Sequence, residues 1–360
     1  MTSLKDLPLR QNLVGKTPYG APQDPVAVSL NVNENTHPIP EAVITEIVAE
    51  LTRAVRGVNR YPDRDFVELR EALAGYLGHG LTASQLWAAN GSNEVLQQIL
   101  QAFGGPGRSL LSFTPTYSMY PLLADGTDTQ WVPVERPADY ALTPDFVSET
   151  LRLHAPSIAI LCGPNNPTGT PLDLDTITAA YDAFDGILVV DEAYHEFDAE
   201  RESAITLLQG RPRLLVSRTM SKAFAFAGVR LGYLAADPAV VDALKLVRLP
   251  YHLSALTQAA AMAAIRHASE MLATVADIRV QRDRLARALS ELGYLVHPSG
   301  ANFLLVGGFA NPTATFEALL AEGILIRDLG IPGHLRITAG TENETTMLIT
   351  ALTALTSAER

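Results

Sequence analysis

Residues 157–194 have the sequence SIAILCGPNNPTGTPLDLDTITAAYDAFDGILVVDEAY, and this stretch predicts the fold of the chain. Two short apolar runs, SIAILC at 157–162 and GILVVDEAY at 186–194, flank the helical pattern DLDTITAAYDAF at 173–184. Short apolar runs bounded by Gly, Pro, Asn or charge are typical of strands buried on both faces of a parallel sheet. The stretch therefore predicts a β-α-β unit, and ligands bind such sheets beyond the carboxyl ends of the strands.

The same pattern continues on both sides of this unit. Helices are predicted at EAVITEIVAELTRAV (41–55) and DFVELREALAGYLG (65–78), because their apolar residues recur at spacings of three and four. Further strands are predicted at SLLSF (109–113), RLLVS (213–217) and LGYLAA (231–236). We therefore predict an α/β fold in which a large domain, residues 41–255, has a mainly parallel central sheet flanked by helices.

The pattern of apolar residues changes after about residue 250. Long helical patterns with a break near residue 268 are followed by two strand candidates, NFLLVGG and HLRITAG. These elements predict a smaller α+β domain over residues 256–360. Residues 1–40 are rich in Pro and Asn and lack a regular period, so we expect an irregular arm that joins the small domain and a dimer contact.

Charge and cysteine content exclude several functional classes. The chain has 27 Lys and Arg against 39 Asp and Glu, a formal net charge of −12, so a nucleic-acid partner is not expected. Cys162 is the only cysteine, which leaves no intramolecular disulfide and no Cys-based zinc site. No apolar run approaches the ~20 residues of a membrane span, and the N-terminus lacks the apolar core of a signal peptide. We expect a cytoplasmic protein that binds small molecules, with no metal in its site and no membrane partner.

Two motifs follow directly after predicted strands. The first is CGPNNPTG (162–169), in which two Pro and two Gly force an irregular loop; it is either a tight structural turn or a place where Asn166 offers its amide to a ligand oxygen. The second is Asp191, which either caps the next helix or holds a proton on a cofactor nitrogen. Tyr194, three residues later, could reach the same ligand ring.

Two further motifs could bind a phosphate. The stretch SRTMSKAFAFAGVR at 217–230 places hydroxyl groups, Lys222 and Arg230 close together, as a phosphate site requires, although Lys222 could also be an ordinary surface lysine. GSNE at 91–94 precedes a helical pattern, where Ser92 and Asn93 either cap the helix or donate backbone N–H groups to an anion.

The order of these motifs resembles that of the fold type I aminotransferases that use pyridoxal 5'-phosphate, and the resemblance runs through nearly the whole chain. It implies that Lys222 binds the cofactor covalently and moves protons, and that Asp191 pairs with the ring nitrogen. Asn166 and Tyr194 match the pair that binds the phenolic oxygen of the ring, and Tyr117 of TPTYSMY matches the aromatic residue that stacks on it.

The resemblance also implies a phosphate cradle and a shared active site. The cradle matches Ser92, Asn93, Thr219, Ser221 and Arg230. Tyr61 of NRYPD resembles a tyrosine that the neighbouring subunit contributes in this family, which implies a homodimer with a shared active site.

Within the family, the chain most resembles the actinobacterial histidinol-phosphate aminotransferases. The likeness rests on TPYG at 17–20, NENTHP, NRYPD and the pairing of GILIRD with HLRITAGT, together with the segments 87–108 and 247–260. It implies substrate contacts from Tyr19, Asn166, Tyr251, Arg327 and Arg336. One departure is Thr36-His37, where the subgroup commonly has Pro and an aromatic residue; it is expected to loosen the arm and to change how a ring-bearing substrate is received.

The implied reaction is ping-pong transfer of an amino group between histidinol phosphate and 2-oxoglutarate, with glutamate as the other amino donor. An aromatic amino acid aminotransferase is the main alternative, and a decarboxylase acting on an amino-acid phosphate is a rarer one, because both would keep Lys222 and Asp191. A non-catalytic regulator is not expected, since only irregular, Pro-rich residues precede the predicted large domain.

Overall fold

The described residues, 6–18, 20–198 and 200–359 of a computed structural model, form eleven α-helices and twelve strands. The helices are α1 Glu41–Val55, α2 Val67–Leu77, α3 Ser92–Phe103, α4 Met119–Gly126, α5 Pro144–His154, α6 Leu174–Ala183, α7 Pro238–Val247, α8 Ala255–Arg266, α9 Ala268–Glu291, α10 Pro312–Ala321 and α11 Glu342–Glu359. The strands are β1 Val28–Ser29, β2 Leu86–Ala89, β3 Ser109–Thr114, β4 Gln130–Glu135, β5 Ile158–Cys162, β6 Ile187–Asp191, β7 Leu214–Thr219, β8 Gly232–Ala235, β9 Leu295–Val296, β10 Phe303–Gly307, β11 Ile324–Leu325 and β12 His334–Thr338.

A seven-stranded sheet in the order β2-β8-β7-β6-β5-β3-β4 forms the centre of the fold. Strands β3 to β7 are parallel, whereas β8 is antiparallel to both of its neighbours. Every residue of β5 and β7 is buried, as strands covered by helices on both faces require. The prediction of an α/β fold with a mainly parallel sheet is confirmed.

Sequence reasoning did not identify two strands of this sheet. β2, with the sequence LWAA, is short and is completed by its antiparallel pairing with β8. β4, with the sequence QWVPVE, lies at the sheet edge, where a proline is tolerated because one side of the strand needs no ladder hydrogen bonds. The long helical pattern after residue 255 does break where predicted, because α8 ends at Arg266 and α9 begins at Ala268.

A second, smaller group of strands lies in the C-terminal part of the chain. β10 pairs in antiparallel fashion with β12 and β9, and these strands pack on α9 and α11 around a separate apolar cluster that includes Leu285, Leu304 and Ile337. β1 of the N-terminal segment pairs with β11, with Val28 opposite Ile324. The boundaries of the three predicted segments, 1–40, 41–255 and 256–360, stay a prediction.

The register of the central sheet aligns the strand ends that carry the motifs. Cys162 of β5 lies opposite Asp191 of β6, and Asp191 lies opposite Ser217 of β7. The loops that follow these strands therefore emerge from the same edge, where open α/β sheets bind their ligands. Within the described residues, no helix is long and apolar enough to cross a membrane.

Candidate active site

A cavity of about 140 Å³ lies at this edge of the sheet. All the predicted cofactor-site residues except Tyr61 line it, together with Arg336, which was predicted only for the substrate: Ser92, Asn93, Tyr117, Asn166, Asp191, Tyr194, Thr219, Ser221, Lys222, Arg230 and Arg336. Val32 and Asn33 of the N-terminal segment and Cys162 also line the cavity, and sequence reasoning did not single them out for this site. Residues from distant parts of the chain thus meet at one place.

Lys222 follows β7 and lies at the cavity wall. Its Nζ donates a hydrogen bond to the carbonyl oxygen of Val32 at 2.8 Å, and it lies 5.9 Å from the centre of the Tyr194 ring. Burial lowers the pKa of the amine to about 8; the positive charge of Arg336 adds to this lowering, and the negative charge of Glu34 opposes it. Lys222 is therefore a lysine with an appreciable neutral fraction near neutral pH, which an ordinary surface lysine lacks.

Asp191 is buried at the end of β6, and its carboxylate does not cap a helix. Oδ2 accepts a hydrogen bond from the hydroxyl of Tyr120 at 2.8 Å, whereas Oδ1 is buried with no hydrogen-bond partner among the described residues. Burial raises the pKa of Asp191 to about 6, and the hydrogen bond from Tyr120 acts in the opposite direction. One carboxylate oxygen is therefore available to a cationic ligand group in the cavity.

Sequence reasoning missed Tyr120. It lies in the first turn of α4, three residues after Tyr117, and is fully buried with its ring edge-on to Tyr117. The only local signal was the three-residue spacing of the two tyrosines in TPTYSMY, and Tyr117 itself lies just before α4. Only the tertiary structure brings the hydroxyl to the end of β6.

Changing Tyr120 to Phe should affect the titration of Asp191. Because the Tyr120 hydrogen bond lowers the pKa of Asp191, we expect its loss to raise that pKa further. The acidic limb of the pH profile of turnover should move to higher pH, with a loss of about 10-fold at neutral pH. Tyr181→Phe is a matched control, because Tyr181 packs under Arg213 on α6, away from the cavity. An unchanged pH profile in Tyr120→Phe would contradict this effect of the hydrogen bond on the pKa of Asp191.

Asn166 and Tyr194 meet on another wall of the cavity. The Nδ2 group of Asn166 lies 3.5 Å from the Tyr194 hydroxyl, which also accepts a hydrogen bond from Nδ2 of Asn33 at 2.9 Å. Burial raises the pKa of Tyr194, so the hydroxyl remains a proton donor at physiological pH. On the opposite side of Asn166, Oδ1 accepts a hydrogen bond from Nη1 of Arg336 at 2.7 Å. The CGPNNPTG loop therefore contributes the side chain of Asn166 to the cavity wall.

The last wall is formed by the N-terminus of α3 and the segment after β7. Ser92 and Asn93 are the first two residues of α3, so their N–H groups have no carbonyl of their own helix to bond. The helix is capped by the backbone of Gly91, not by a side chain, and a Cβ atom on Gly91 would lie 2.4 Å from Nη2 of Arg230. Arg230 also donates to Oγ of Ser221 at 3.3 Å. These groups form a small cradle of donors suited to a phosphate.

An outer cavity of about 240 Å³ adjoins the first one and shares Tyr117, Asn166 and Arg336 with it. Its other walls combine apolar side chains with three hydroxyl-bearing residues and one further cation: Pro115, Pro121, Trp131, Pro167, Leu329, Ile331, Thr114, Thr116, Ser118 and Arg327. Arg327 and Arg336 face each other across an antiparallel bridge, so both predicted substrate arginines border this space. Sequence reasoning had no signal for the apolar wall, because its residues come from unrelated segments.

Two other predicted residues, Tyr61 and Tyr251, lie away from both cavities. Tyr61 is 79% exposed and stacks on Tyr251 with ring centres 4.4 Å apart, and neither ring lines the cavities. Tyr19 lies outside the described residues. The contacts predicted for these three tyrosines therefore stay predictions.

The departure at Thr36-His37 lies beside the cavity wall. Asn35, just before it, donates to the carbonyl oxygen of Ala223 and to Thr274, which fastens this part of the arm next to Lys222. Thr36 Oγ1 and His37 Nε2 are buried with no hydrogen-bond partner among the described residues. The expected loosening of the arm stays a prediction.

Comparison with known families identifies the class of protein to which this fold and cavity belong. A sequence profile described as "Aminotransferase class I and II" matches residues 25–352. The chain belongs to this family.

Its relatives identify a narrower group. The histidinol-phosphate aminotransferase of Paenarthrobacter aurescens (strain TC1) is 58% identical over 356 residues, which cover 98% of this chain and 96% of that protein. The histidinol-phosphate aminotransferase of Thermobifida fusca (strain YX) is 54% identical over 355 residues, with 98% and 97% covered. A crystal structure of the Sinorhizobium meliloti histidinol-phosphate aminotransferase in complex with pyridoxal-5'-phosphate has a TM-score of 0.83 at 24% identity, covering 93% of this chain and 92% of that one. That structural likeness supports the fold.

Proposed function

We propose that this protein is a histidinol-phosphate aminotransferase that uses pyridoxal 5'-phosphate and exchanges an amino group between histidinol phosphate and 2-oxoglutarate. The observation that carries the proposal is one cavity in which Lys222, the free oxygen of Asp191 and the donors around Arg230 converge. The named relatives at 58% and 54% identity support the same substrate. The alternative of an aromatic amino acid aminotransferase has no comparable support.

The residues of the cavity fit this cofactor. The unpartnered Oδ1 of Asp191 suits a protonated ring nitrogen, since a buried carboxylate oxygen is stabilised by a cation. The phosphate would be held by the N–H groups of Ser92 and Asn93, the hydroxyls of Thr219 and Ser221, and the guanidinium of Arg230. Bound there, the cofactor supplies an electron sink for the carbanion that forms at the substrate carbon.

Lys222 is the residue that holds and moves the proton that leaves the substrate carbon. An amine with a pKa of about 8 exists partly neutral at physiological pH, so it can attack a carbonyl or accept a proton. Its hydrogen bond to the Val32 carbonyl fixes the position of Nζ at the cavity wall. Asn166 and Tyr194 would orient the ring through hydrogen bonds, and Tyr117 would lie against its face.

The two arginines of the outer cavity bind different anionic groups of the substrates. Arg336 is buried, and its guanidinium is already held by Asn166 and by the backbone oxygen of Asn31. Among the described residues, no carboxylate forms an ion pair with Arg327. We propose that Arg327 is the main partner of the substrate phosphate, because it borders the outer cavity while the guanidinium of Arg336 is already bound to Asn166 and Asn31, and that Arg336 binds the carboxylate of glutamate or 2-oxoglutarate.

The half-reaction with single amino donors tests the function. Purified protein loaded with the cofactor should lose its visible absorbance fastest with histidinol phosphate, when histidinol phosphate, phenylalanine, tyrosine, aspartate and glutamate are compared at equal concentration. Faster conversion by phenylalanine would overturn the substrate assignment but leave the cofactor chemistry intact. Failure of every donor would overturn both.

We further propose that the active unit is a homodimer with a shared site in the cytoplasm, with no nucleic-acid or membrane partner. The support for a dimer is a strongly exposed apolar group around Tyr61 and Tyr251, with Leu246 and Leu249 close by in sequence.

If Tyr61 completes the site of its neighbour, mixing the inactive variants Lys222→Ala and Tyr61→Ala should create mixed dimers with one intact site. Activity of the mixture above the mean of the separate variants is expected, and its absence would contradict a shared site.

A further inference from the structure

Two histidines meet at one edge of the small antiparallel sheet. His297 follows β9 and His334 opens β12, so the two lie on opposite sides of β10. Their Nε2 atoms are 3.2 Å apart, with ring centres separated by 5.3 Å and planes inclined by 28°. The proposed aminotransferase chemistry uses neither residue.

The tautomer of His334 is fixed by its second ring nitrogen. Nδ1 lies 2.7 Å from the carbonyl oxygen of Pro332, and because a carbonyl oxygen only accepts, Nδ1 must carry the hydrogen in the neutral ring. The lone pair of Nε2 then points towards His297. A histidine that binds a metal through one nitrogen and donates the other N–H to a backbone carbonyl has this arrangement.

The surrounding residues leave space for the two rings. Gly307 of β10 lies directly opposite His334 in the sheet, and a Cβ atom at this position would lie 2.6 Å from Nε2 of His334. The Tyr140 ring packs edge-on against His297 and holds it from the other side. Both histidines are half-exposed, so an ion can reach them from solvent. Burial and the proximity of His334 lower the pKa of His297, which favours the neutral form that binds metals.

We propose that His297 and His334 form a binding site for a divalent transition metal, with Zn²⁺ as the test ion. Two zinc–nitrogen bonds of about 2.0–2.1 Å across a 3.2 Å separation give an N–Zn–N angle of roughly 100°, close to a tetrahedral value. Only small movements of the rings are then needed for binding.

The site would be open and of limited affinity. Within residues 6–18, 20–198 and 200–359, no group of three or more His, Cys, Asp or Glu side chains is placed to hold a metal. Two protein ligands leave the other coordination positions to water, unlike the closed four-ligand sites that stabilise folds. Among divalent ions, Cu²⁺ should bind more tightly than Zn²⁺.

A bound ion would connect the small sheet to the neighbourhood of the active site. His334 is two residues before Arg336 in the same strand. His297 leads into Ser299 and Gly300, and Gly300 donates a backbone hydrogen bond to Gly169 at the end of the CGPNNPTG loop. The ion would therefore link two segments that border the cavity without entering it.

Equilibrium dialysis of the cofactor-loaded protein, without a polyhistidine tag, against Zn²⁺ alone tests the site. We expect the wild type to bind one Zn²⁺ per chain at the His297–His334 pair. His334→Gln and His297→Gln should each weaken this binding by at least about 10-fold. His154→Gln, at an exposed position in the last turn of α5, is the matched control and should bind as the wild type does. Equal binding by wild type and both pair variants would overturn the proposal.

A measurement on the unaltered protein avoids dependence on the folding of the variants. Cu²⁺ at one equivalent should give an electron paramagnetic resonance spectrum with hyperfine coupling to two imidazole nitrogens. A spectrum without that coupling would show that the two rings are only hydrogen-bonded to each other. Both experiments are independent of transamination, so the aminotransferase assignment would survive either outcome.

Discussion

Replacing Lys222 with alanine is expected to lower transamination turnover by about 10⁴-fold, the upper end of what a positioned acid–base group contributes. The variant loses both the amine that would anchor the cofactor and the group that moves the proton. It should also release the cofactor on dialysis more readily than the wild type. Steady-state rates with histidinol phosphate and 2-oxoglutarate, together with visible absorbance before and after dialysis, measure the two effects.

Two further variants separate chemistry from charge. Lys222→Arg keeps a positive charge beside the Val32 carbonyl but has no titratable amine, so it should be as inactive as Lys222→Ala. Lys245→Ala removes a half-buried lysine of α7 that pairs with Asp242 and lines neither cavity, and it should keep wild-type activity. Full turnover by Lys222→Ala would disprove the proposed role of this residue.

Replacing Asp191 with asparagine is expected to reduce turnover by about 10²–10³-fold, as removal of a preorganised electrostatic partner does elsewhere. The change keeps the shape of the side chain and its hydrogen bond with Tyr120 but removes the charge. The ring nitrogen of the cofactor would then lose its anionic partner. Turnover with histidinol phosphate, and the affinity for added cofactor, are the measurements.

The same substitution should stabilise the cofactor-free protein at alkaline pH. The pKa of Asp191 is raised in the folded state from 3.8 to about 6, so folding stability falls as the pH rises through this interval. Above pH 6 the buried charge costs about 3 kcal/mol, and asparagine does not carry this cost.

Unfolding in urea at two pH values checks this effect. The free energy of unfolding of Asp191→Asn should exceed that of the wild type at pH 8, and the difference should disappear near pH 4. Asp185→Asn, at an exposed position before β6, serves as the control and should behave as the wild type does at both values. A less stable Asp191→Asn protein at pH 8 would contradict the electrostatic explanation.

Local patterns in the sequence predicted a large part of the candidate site. The positions of Asn166, Asp191 and Lys222 could be inferred because each follows a short apolar run, and the ends of parallel strands share one edge of a sheet. The hydrogen bond from Tyr120 to Asp191 could not be inferred, because it joins residues 71 positions apart through the packing of α4 on the sheet. The same limit applies to Asn33, which reaches Tyr194 from the N-terminal segment.

The sequence by itself determined the α/β class, the mainly parallel sheet and the cation-bearing segment around Lys222, because burial periodicity and turn residues are local properties. The tertiary structure alone decided the chemical state of these groups. Burial raises the pKa of Asp191 and lowers the pKa of Lys222, and the charge of Arg336 on a distant segment adds to the lowering for Lys222. Likewise, His297 and His334 lie 37 positions apart in the sequence and meet only because β9 and β12 flank β10.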